Sequence, residues 1–250
     1  MGKYKAIISD VDGTLTPIVP QAVPSEKATK KIKELSQKGM LFSLASGRPF
    51  FLLEYLTKHL SLTTPIISDN GAVIIDGNNG SVIWEKNLPN NEAQEIINMI
   101  PEETLTRLSC DSINLENPQD VPQNVKIRKV SIHDLTHELA DLLIKQVEDK
   151  FKNLAVVKSA SYKSEKFADV YFSHAEATKQ HAVLKYSQIL NISPKEIIGI
   201  GDGYNDFSLL IACGLRVAMG NAVSELKAIA DYIAPPQNED GIIDIIDRFT

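Results

Sequence analysis

Cysteine is nearly absent from this 250-residue chain: Cys110 and Cys213 are the only two, and they lie far apart. Such a pair forms no metal-ligand spacing and no disulfide framework, which excludes a stapled secreted scaffold and points to a reducing compartment. A block of basic residues is also missing, and the formal net charge is -6. Nucleic acid and anionic membrane surfaces therefore have no electrostatic support as partners. No apolar run reaches the ~20 residues that a bilayer span requires. The first residues reach acidic side chains too soon for a secretory leader, so cytoplasmic placement is the expectation.

What the chain does have is ordinary globular material. Hydrophobic residues make up 43% and charged residues 23%, enough for a buried core in one large domain or a domain carrying an insert. The first third alternates. Lys5 to Ser9 reads as a buried strand, Ser25 to Lys38 as a helix with Ala28, Ile32 and Leu35 inward, and Met40 to Ala45 as a strand. Pro49 to Leu60 reads as a helix, and a strand starts at Pro65. The last third repeats that beat from Thr178 to Phe249. Strand–helix alternation of this kind predicts a parallel sheet with crossover helices. The middle does not keep the beat. A hairpin signal at Asp76-Gly77-Asn78-Asn79-Gly80 is followed by helical spacing over Asn90 to Met99 and His133 to Phe151. Strand-like runs lie at Leu105 to Ser109, Val125 to Ile132, Leu154 to Lys158 and Asp169 to Phe172. The expected organisation is an α/β core over residues 1–85 and 178–250, with an α+β domain inserted over 86–177.

Four short segments carry the chemistry. Asp10-Val11-Asp12-Gly13-Thr14 follows the first strand, and in a parallel sheet ligands bind beyond the carboxyl ends of strands. Two carboxylates this close repel, which calls for a cation or a shared proton. Gly201-Asp202-Gly203-Tyr204-Asn205-Asp206 follows another apolar strand and adds hard oxygen donors suited to Mg²⁺. Ser46-Gly47-Arg48-Pro49, between a strand and a helix, offers a hydroxyl and backbone N–H groups to a phosphate. Lys179, near the start of a helix, can offset charge on a phosphoryl group. Each has an ordinary alternative as a solvated turn or helix start, and it is their occurrence together that carries weight.

In this combination the chain resembles the haloacid dehalogenase superfamily of phosphohydrolases. Ala218-Met219-Gly220-Asn221-Ala222, Asn238-Glu239-Asp240-Gly241 and Asp69-Asn70-Gly71-Ala72 narrow the resemblance to the Cof-type branch. It implies the HAD fold, a Rossmann-like parallel sheet core with an inserted α+β cap of the C2B kind. It implies Asp10 as the nucleophile that takes the phosphoryl group, and Asp12 as the acid that protonates the leaving oxygen and then the base toward water. It implies Ser46, the Gly47 amide and Lys179 around the phosphate. Mg²⁺ would be held by Asp10, the Asp12 carbonyl and Asp202, with Asn205 and Asp206 supporting that shell directly or through water. Gln180 departs from the glycine common in the family at that position and removes no charge. The implied activity is Mg²⁺-dependent hydrolysis of small phosphomonoesters, sugar phosphates or phosphoacids such as phosphoglycolate. Alternatives are a phosphomutase, a signalling receiver domain, which the chain length disfavours, and a non-catalytic binding protein of the same fold.

Elsewhere, His133 and His137 stand four apart on an expected helix but lack the zinc-protease spacing and a third ligand, so a solvated face is the reading. Lys126 and Arg128 are expected to share a strand face, and Lys163 and Lys166 to lie in a polar segment. Either pair has two readings, a hold on an anionic substrate or plain surface charge. Tyr204 lines the site or packs, and substrate identity and oligomeric state are not legible.

Overall fold

The computed structural model describes residues 3–101, 104–110, 113–161, 163–164 and 166–250. The chain divides into two units, Met1–Trp84 with Lys179–Thr250, and Glu85–Thr178.

The first unit begins with β1 (Ala6–Ser9), α1 (Glu26–Gln37), β2 (Leu41–Leu44), α2 (Glu54–Leu60), β3 (Ile66–Ser68), β4 (Val73–Ile75) and β5 (Val82–Glu85). Ser25 caps α1 by accepting the Ala28 N–H at 3.1 Å, satisfying an amide that the helix itself leaves unpaired. Ala28, Ile32 and Leu35 face inward at helical spacing. The helix expected over Pro49 to Leu60 is split. A 3₁₀ turn covers Phe50–Leu52, and α2 starts only after Leu53, whose side chain is fully buried while Phe51 and Leu52 stay exposed. A continuous α-helix from Pro49 would carry Phe51 and Leu52 on round with Leu53; the break lets Leu53 alone enter the core.

The second unit is built from α3 (Asn90–Ile97), β6 (Thr106–Ser109), β7 (Asn114–Glu116), β8 (Lys129–Thr136), α4 (His137–Lys150), β9 (Leu154–Ala160) and β10 (Phe167–His174). Its five strands lie in the order β7-β6-β8-β10-β9, paired antiparallel. Ala93 and Ile96 of α3 and Ala140, Leu143 and Val147 of α4 pack on Val130, Ile132, Val170 and Phe172. Because side chains alternate along strands, Lys129, Ser131 and His133 point to the other face, with Asp169 and Tyr171 beside them.

The helix expected from His133 is corrected here: β8 runs on to Thr136, and α4 starts at His137. Asp169 of the neighbouring strand takes both the His133 ring, through Nδ1 at 2.8 Å, and the Asp134 N–H at 3.1 Å. Asp134 has φ +58° beside a register shift in β10, so a local irregularity lets the strand persist. Thr136 then caps α4 by accepting the Leu139 N–H at 3.3 Å. The two histidines therefore do not share a helix face. Lys126 and Arg128 precede β8 rather than sharing a strand face. Lys126 is exposed and pairs with Glu85, while Arg128 is buried.

The chain returns to the first unit with α5 (Lys179–Leu190), β11 (Ile197–Gly201), α6 (Phe207–Ala212), β12 (Leu215–Ala218), α7 (Ser224–Ile229), β13 (Tyr232–Ile233) and α8 (Gly241–Phe249). Its main sheet is parallel in the order β13-β12-β11-β1-β2. All four residues of β1 are buried. Ile7 joins a cluster with Ile32 of α1 and Ile242 and Ile245 of α8. Ala6 and Ile8 join Ala182 and Val183 of α5 and Leu209 and Leu210 of α6 on the opposite face. Helices thus cover both faces, the Rossmann-like α/β arrangement. From the centre, β1 leads to β2 on one side while β11 leads to β12 and β13 on the other. This reversal opens a crevice beyond the strand ends, where ligands bind in such sheets. The strands β3, β4 and β5 form a separate small sheet. Among the described residues no helix is long and apolar enough to cross a membrane.

Candidate active site

Asp10 leaves β1 and Asp202 leaves β11 at that reversal, where the two strands are direct neighbours. The Asp10 N–H still pairs with the Ile200 carbonyl at 2.9 Å, so the sheet itself sets the position of Asp10. Asp206 begins the turn into α6. Carboxylate oxygens of Asp10, Asp202 and Asp206 all lie within 4.8 Å of one another.

Lys179 opens α5 and is only 1% exposed. Its Nζ donates to Asp10 Oδ1 and to Asp206 Oδ1, both at 2.6 Å. The other oxygen of Asp206 accepts the Asp202 and Gly203 N–H groups, each at 3.0 Å. Asp206 is thus engaged on both oxygens and fixes Lys179 and the 202–203 turn together. Burial works against the charge of Lys179, but Asp10 and Asp206 outweigh it and lift its pKa. Burial raises Asp10 well above the usual carboxylate range, and the charge of Asp206 adds to this, while Lys179 holds it back. Asp202 is pushed up to about 7, by burial first and then by Asp206.

The charge balance tests whether a cation fits. Two buried carboxylates, Asp10 and Asp206, and the half-buried Asp202 face one ammonium; burial first, and repulsion among them second, raises Asp10 and Asp202. A divalent cation removes that repulsion, and the donors are all hard oxygens of the kind that Mg²⁺ takes. The residues fit such an ion.

Asp202 is held from two sides. Thr14 Oγ1 donates to its Oδ1 at 2.7 Å, and Asn221 Nδ2 lies 3.4 Å from its Oδ2. Gly13 adopts φ +77°, and a Cβ there would fall 2.4 Å from Asp202 Oδ2. Only glycine combines that conformation with that approach.

Asp12 does not join the acidic cluster. Arg48 binds it with both arms, Nε to Oδ2 at 2.8 Å and Nη2 to Oδ1. Tyr55 holds the guanidinium from behind, with its hydroxyl 3.4 Å from Nη1 and donating to the Ala22 carbonyl at 2.9 Å. Ser46 lies two residues beyond the end of β2 and is buried. Its hydroxyl accepts the Arg48 N–H at 3.1 Å. The Ser46 N–H is taken by the Ile67 carbonyl and its carbonyl by the Asn70 N–H, both at 3.0 Å, so the Ser46-Gly47-Arg48 loop is clamped by the Asp69-Asn70 turn. That turn has left-handed φ at both residues, +52° and +58°, strain of the kind that clusters at functional sites. Asn205 donates through Nδ2 to Asn70 Oδ1 at 3.4 Å and so contacts this clamp. Tyr204 is half exposed, stacks on Phe207 and donates to Glu225.

Arg48 and Asn221 were given no role by the sequence reading, although both lie inside segments that it singled out. The signal available was their place in those segments, and their partners lie 36 and 208 residues away.

With the fold and this cluster in view, similarity to known proteins becomes informative. The family described as haloacid dehalogenase-like hydrolase matches residues 7–114 and 106–246. The chain belongs to that family, in its Cof-type branch. A 5-amino-6-(5-phospho-D-ribitylamino)uracil phosphatase of Bacillus subtilis is 26% identical, covering 95% of this chain and 92% of its own length. A phosphoglycolate phosphatase of Methanopyrus kandleri is 26% identical over 94% of this chain and 93% of its own. A haloacid dehalogenase-like hydrolase structure from B. subtilis superposes with a TM-score of 0.85 at 21% identity, covering 98% of this chain and all of the other, and shares the fold. The enzyme class is accordingly phosphoric monoester hydrolase.

Proposed function

We propose that this hydrolase removes phosphate from small phosphomonoesters through an acyl-phosphate on Asp10, with Mg²⁺ as its cation. The observation that carries the reading is Lys179 lying 2.6 Å from both Asp10 and Asp206 in the buried carboxylate cluster. A carboxylate attacking a phosphate dianion meets like charge, and a fixed ammonium lowers that barrier.

Asp10 and Asp202, with the Asp12 carbonyl, would hold the cation. When bound it neutralises charge on the nucleophile and on the group in transfer. In the first step an Asp10 oxygen bonds to phosphorus, the ester P–O bond breaks, and the departing oxygen takes a proton from Asp12. In the second step water attacks phosphorus and gives a proton to Asp12. The bond between phosphorus and the Asp10 oxygen then breaks, releasing phosphate and restoring the carboxylate. Arg48's fork holds both Asp12 oxygens and matches an ionised carboxylate; in the proposed cycle one of those contacts gives way while Asp12 carries the proton it takes from water and returns to the next leaving oxygen. Ser46 and the Gly47 amide are assigned to the phosphoryl oxygens. Asp206 is assigned to positioning Lys179, since both of its oxygens are engaged.

The two curated relatives act, by name, on a phosphoacid and on the phosphate of a sugar-alcohol chain. Both kinds of small phosphomonoester are the expected substrates here, and their selection is assigned to the inserted unit as a cap. The test is phosphate release from a panel of such esters, with Mg²⁺ and with a chelator. Metal-dependent release that Asp10→Asn abolishes and Asp202→Ala cuts supports the reading. An Asp10→Asn variant as fast as the wild type sinks the nucleophile assignment.

A further inference from the structure

Asn221 has no part in the chemistry proposed above, yet two of its three polar contacts reach the segments that carry the acidic cluster. It lies in the turn after β12. Its Nδ2 donates to the Gly13 carbonyl at 2.8 Å and reaches Asp202 Oδ2 at 3.4 Å. Its Oδ1 accepts the Gln237 N–H at 2.9 Å. A side-chain amide has donors on nitrogen and acceptor capacity on oxygen. The Gln237 N–H therefore decides which end faces which way, and the nitrogen is left pointing at two acceptors.

The turn that carries Asn221 is itself fixed to the β11 end. Met219 N–H donates to the Gly201 carbonyl and Val223 N–H to the Asp202 carbonyl, both at 3.0 Å. Lys227 Nζ donates to the Gly220 carbonyl at 2.6 Å. Asn221 is thus a short strut on a braced turn. Thr14 holds one oxygen of Asp202 and Asn221 approaches the other, so the carboxylate cannot rotate about its terminal bond without losing a partner. The same strut ties the Gly13 carbonyl, one residue beyond Asp12, to the Asp202 side.

We propose that Asn221 is a positioning residue of the cation site, orienting the Asp202 carboxylate and holding the Asp10–Thr14 segment in register with it. The proposal rests on the reading of Asp10 and Asp202 as cation ligands. Groups that orient ligands in this way are worth about 10- to 100-fold in metal affinity.

The experiment is titration calorimetry of the protein with Mg²⁺ alone, on wild type and Asn221→Ala, alongside their thermal unfolding midpoints in chelator. Asn221 is exposed, so the variant is expected to fold, with a midpoint within a few degrees of wild type. The expected result is Mg²⁺ binding weakened about tenfold or more. The Mg²⁺ concentration for half-maximal phosphate release rises in parallel, and turnover at saturating Mg²⁺ changes little. Thr14→Val, which removes the hydroxyl on the opposite oxygen, should weaken binding in the same direction. Unchanged Mg²⁺ affinity in Asn221→Ala, with a wild type that binds Mg²⁺, overturns the assignment of Asn221 alone. A wild type that binds no Mg²⁺ overturns the cation reading of the whole cluster and this role with it.

Discussion

Arg48 grips Asp12 as a fork grips a carboxylate, with Nε on one oxygen at 2.8 Å and Nη2 on the other. Both side chains are mostly buried, so the pair is a fixed geometric element rather than a loose surface contact. Lysine presents a point charge and cannot reproduce the fork. Arg48→Lys is expected to lower kcat by about 10²-fold, the cost of a misplaced catalytic group. Steady-state phosphate release measures it, and a kcat within twofold of wild type would show that Asp12 needs no such hold.

Lys179 is the sole ammonium of the described cluster, paired with the buried carboxylates of Asp10 and Asp206 beside the half-buried Asp202. Lys179→Met keeps the bulk and removes the charge. Breaking a buried ion pair from one side costs about 3–5 kcal/mol. Denaturant unfolding of the metal-free variant should show a loss of that order, and phosphate release should fall to background. A variant as stable as the wild type would mean that water reaches the cluster freely.

The raised carboxyls give stability a direction with pH. Asp202 stands at about 7, against roughly 4 in an unfolded chain, and Asp10 is raised as well. Between those values the folded protein keeps protons that the unfolded chain has released. The contribution is full below about pH 4 and lost as pH rises through about 7. Carboxyls held low by ion pairs, such as Asp231 beside Arg216, act only below about pH 4, where protonation removes their contribution. In chelator, the calorimetric unfolding midpoint should therefore fall from pH 5 to pH 8, and Mg²⁺ should flatten that slope. A midpoint that climbs over this range in chelator contradicts the account.

Gly13 has two reasons to be glycine, a φ of +77° and a Cβ position 2.4 Å from Asp202 Oδ2. Gly13→Ala should push the Asp202 carboxylate aside. The expected result is Mg²⁺ activation shifted to at least about tenfold higher concentration, read from phosphate release against metal concentration. A wild-type activation curve would show that the loop yields instead.

The segments that meet in the cluster were legible because each is short and sits at a strand end. Asp10 after a buried apolar run and Asp202 after Ile197–Ile200 announce their place without any knowledge of pairing. What was not legible depends on partners remote in sequence. The engagement of both Asp206 oxygens needs Lys179, 27 residues away, as well as its own neighbouring amides. Arg48's role needs Asp12, and Asn205's contact needs Asn70, 135 residues distant. The β8 boundary failed for a similar reason. The apolar spacing from Leu135 onward is helical, and nothing local reveals that Asp169 holds His133 and Asp134 in a strand. Arg128 kept two readings, a hold on an anion or surface charge, because a strand pattern does not tell which flank is covered; the structure buries it.

The two central strands of the main sheet, β1 and β11, come from opposite ends of the chain, with the whole second unit encoded between them. During synthesis β1 emerges early and gains β2 on one edge, but its other edge stays bare until the ribosome has passed residue 200. The second unit, contiguous in sequence, has all its strand partners by then. Birth order thus favours the second unit maturing first and the acidic cluster last. Asp10 receives Lys179, Asp202 and Asp206 only in the closing third of translation, so a chain cut after the second unit but before Lys179 carries that unit without the acidic cluster.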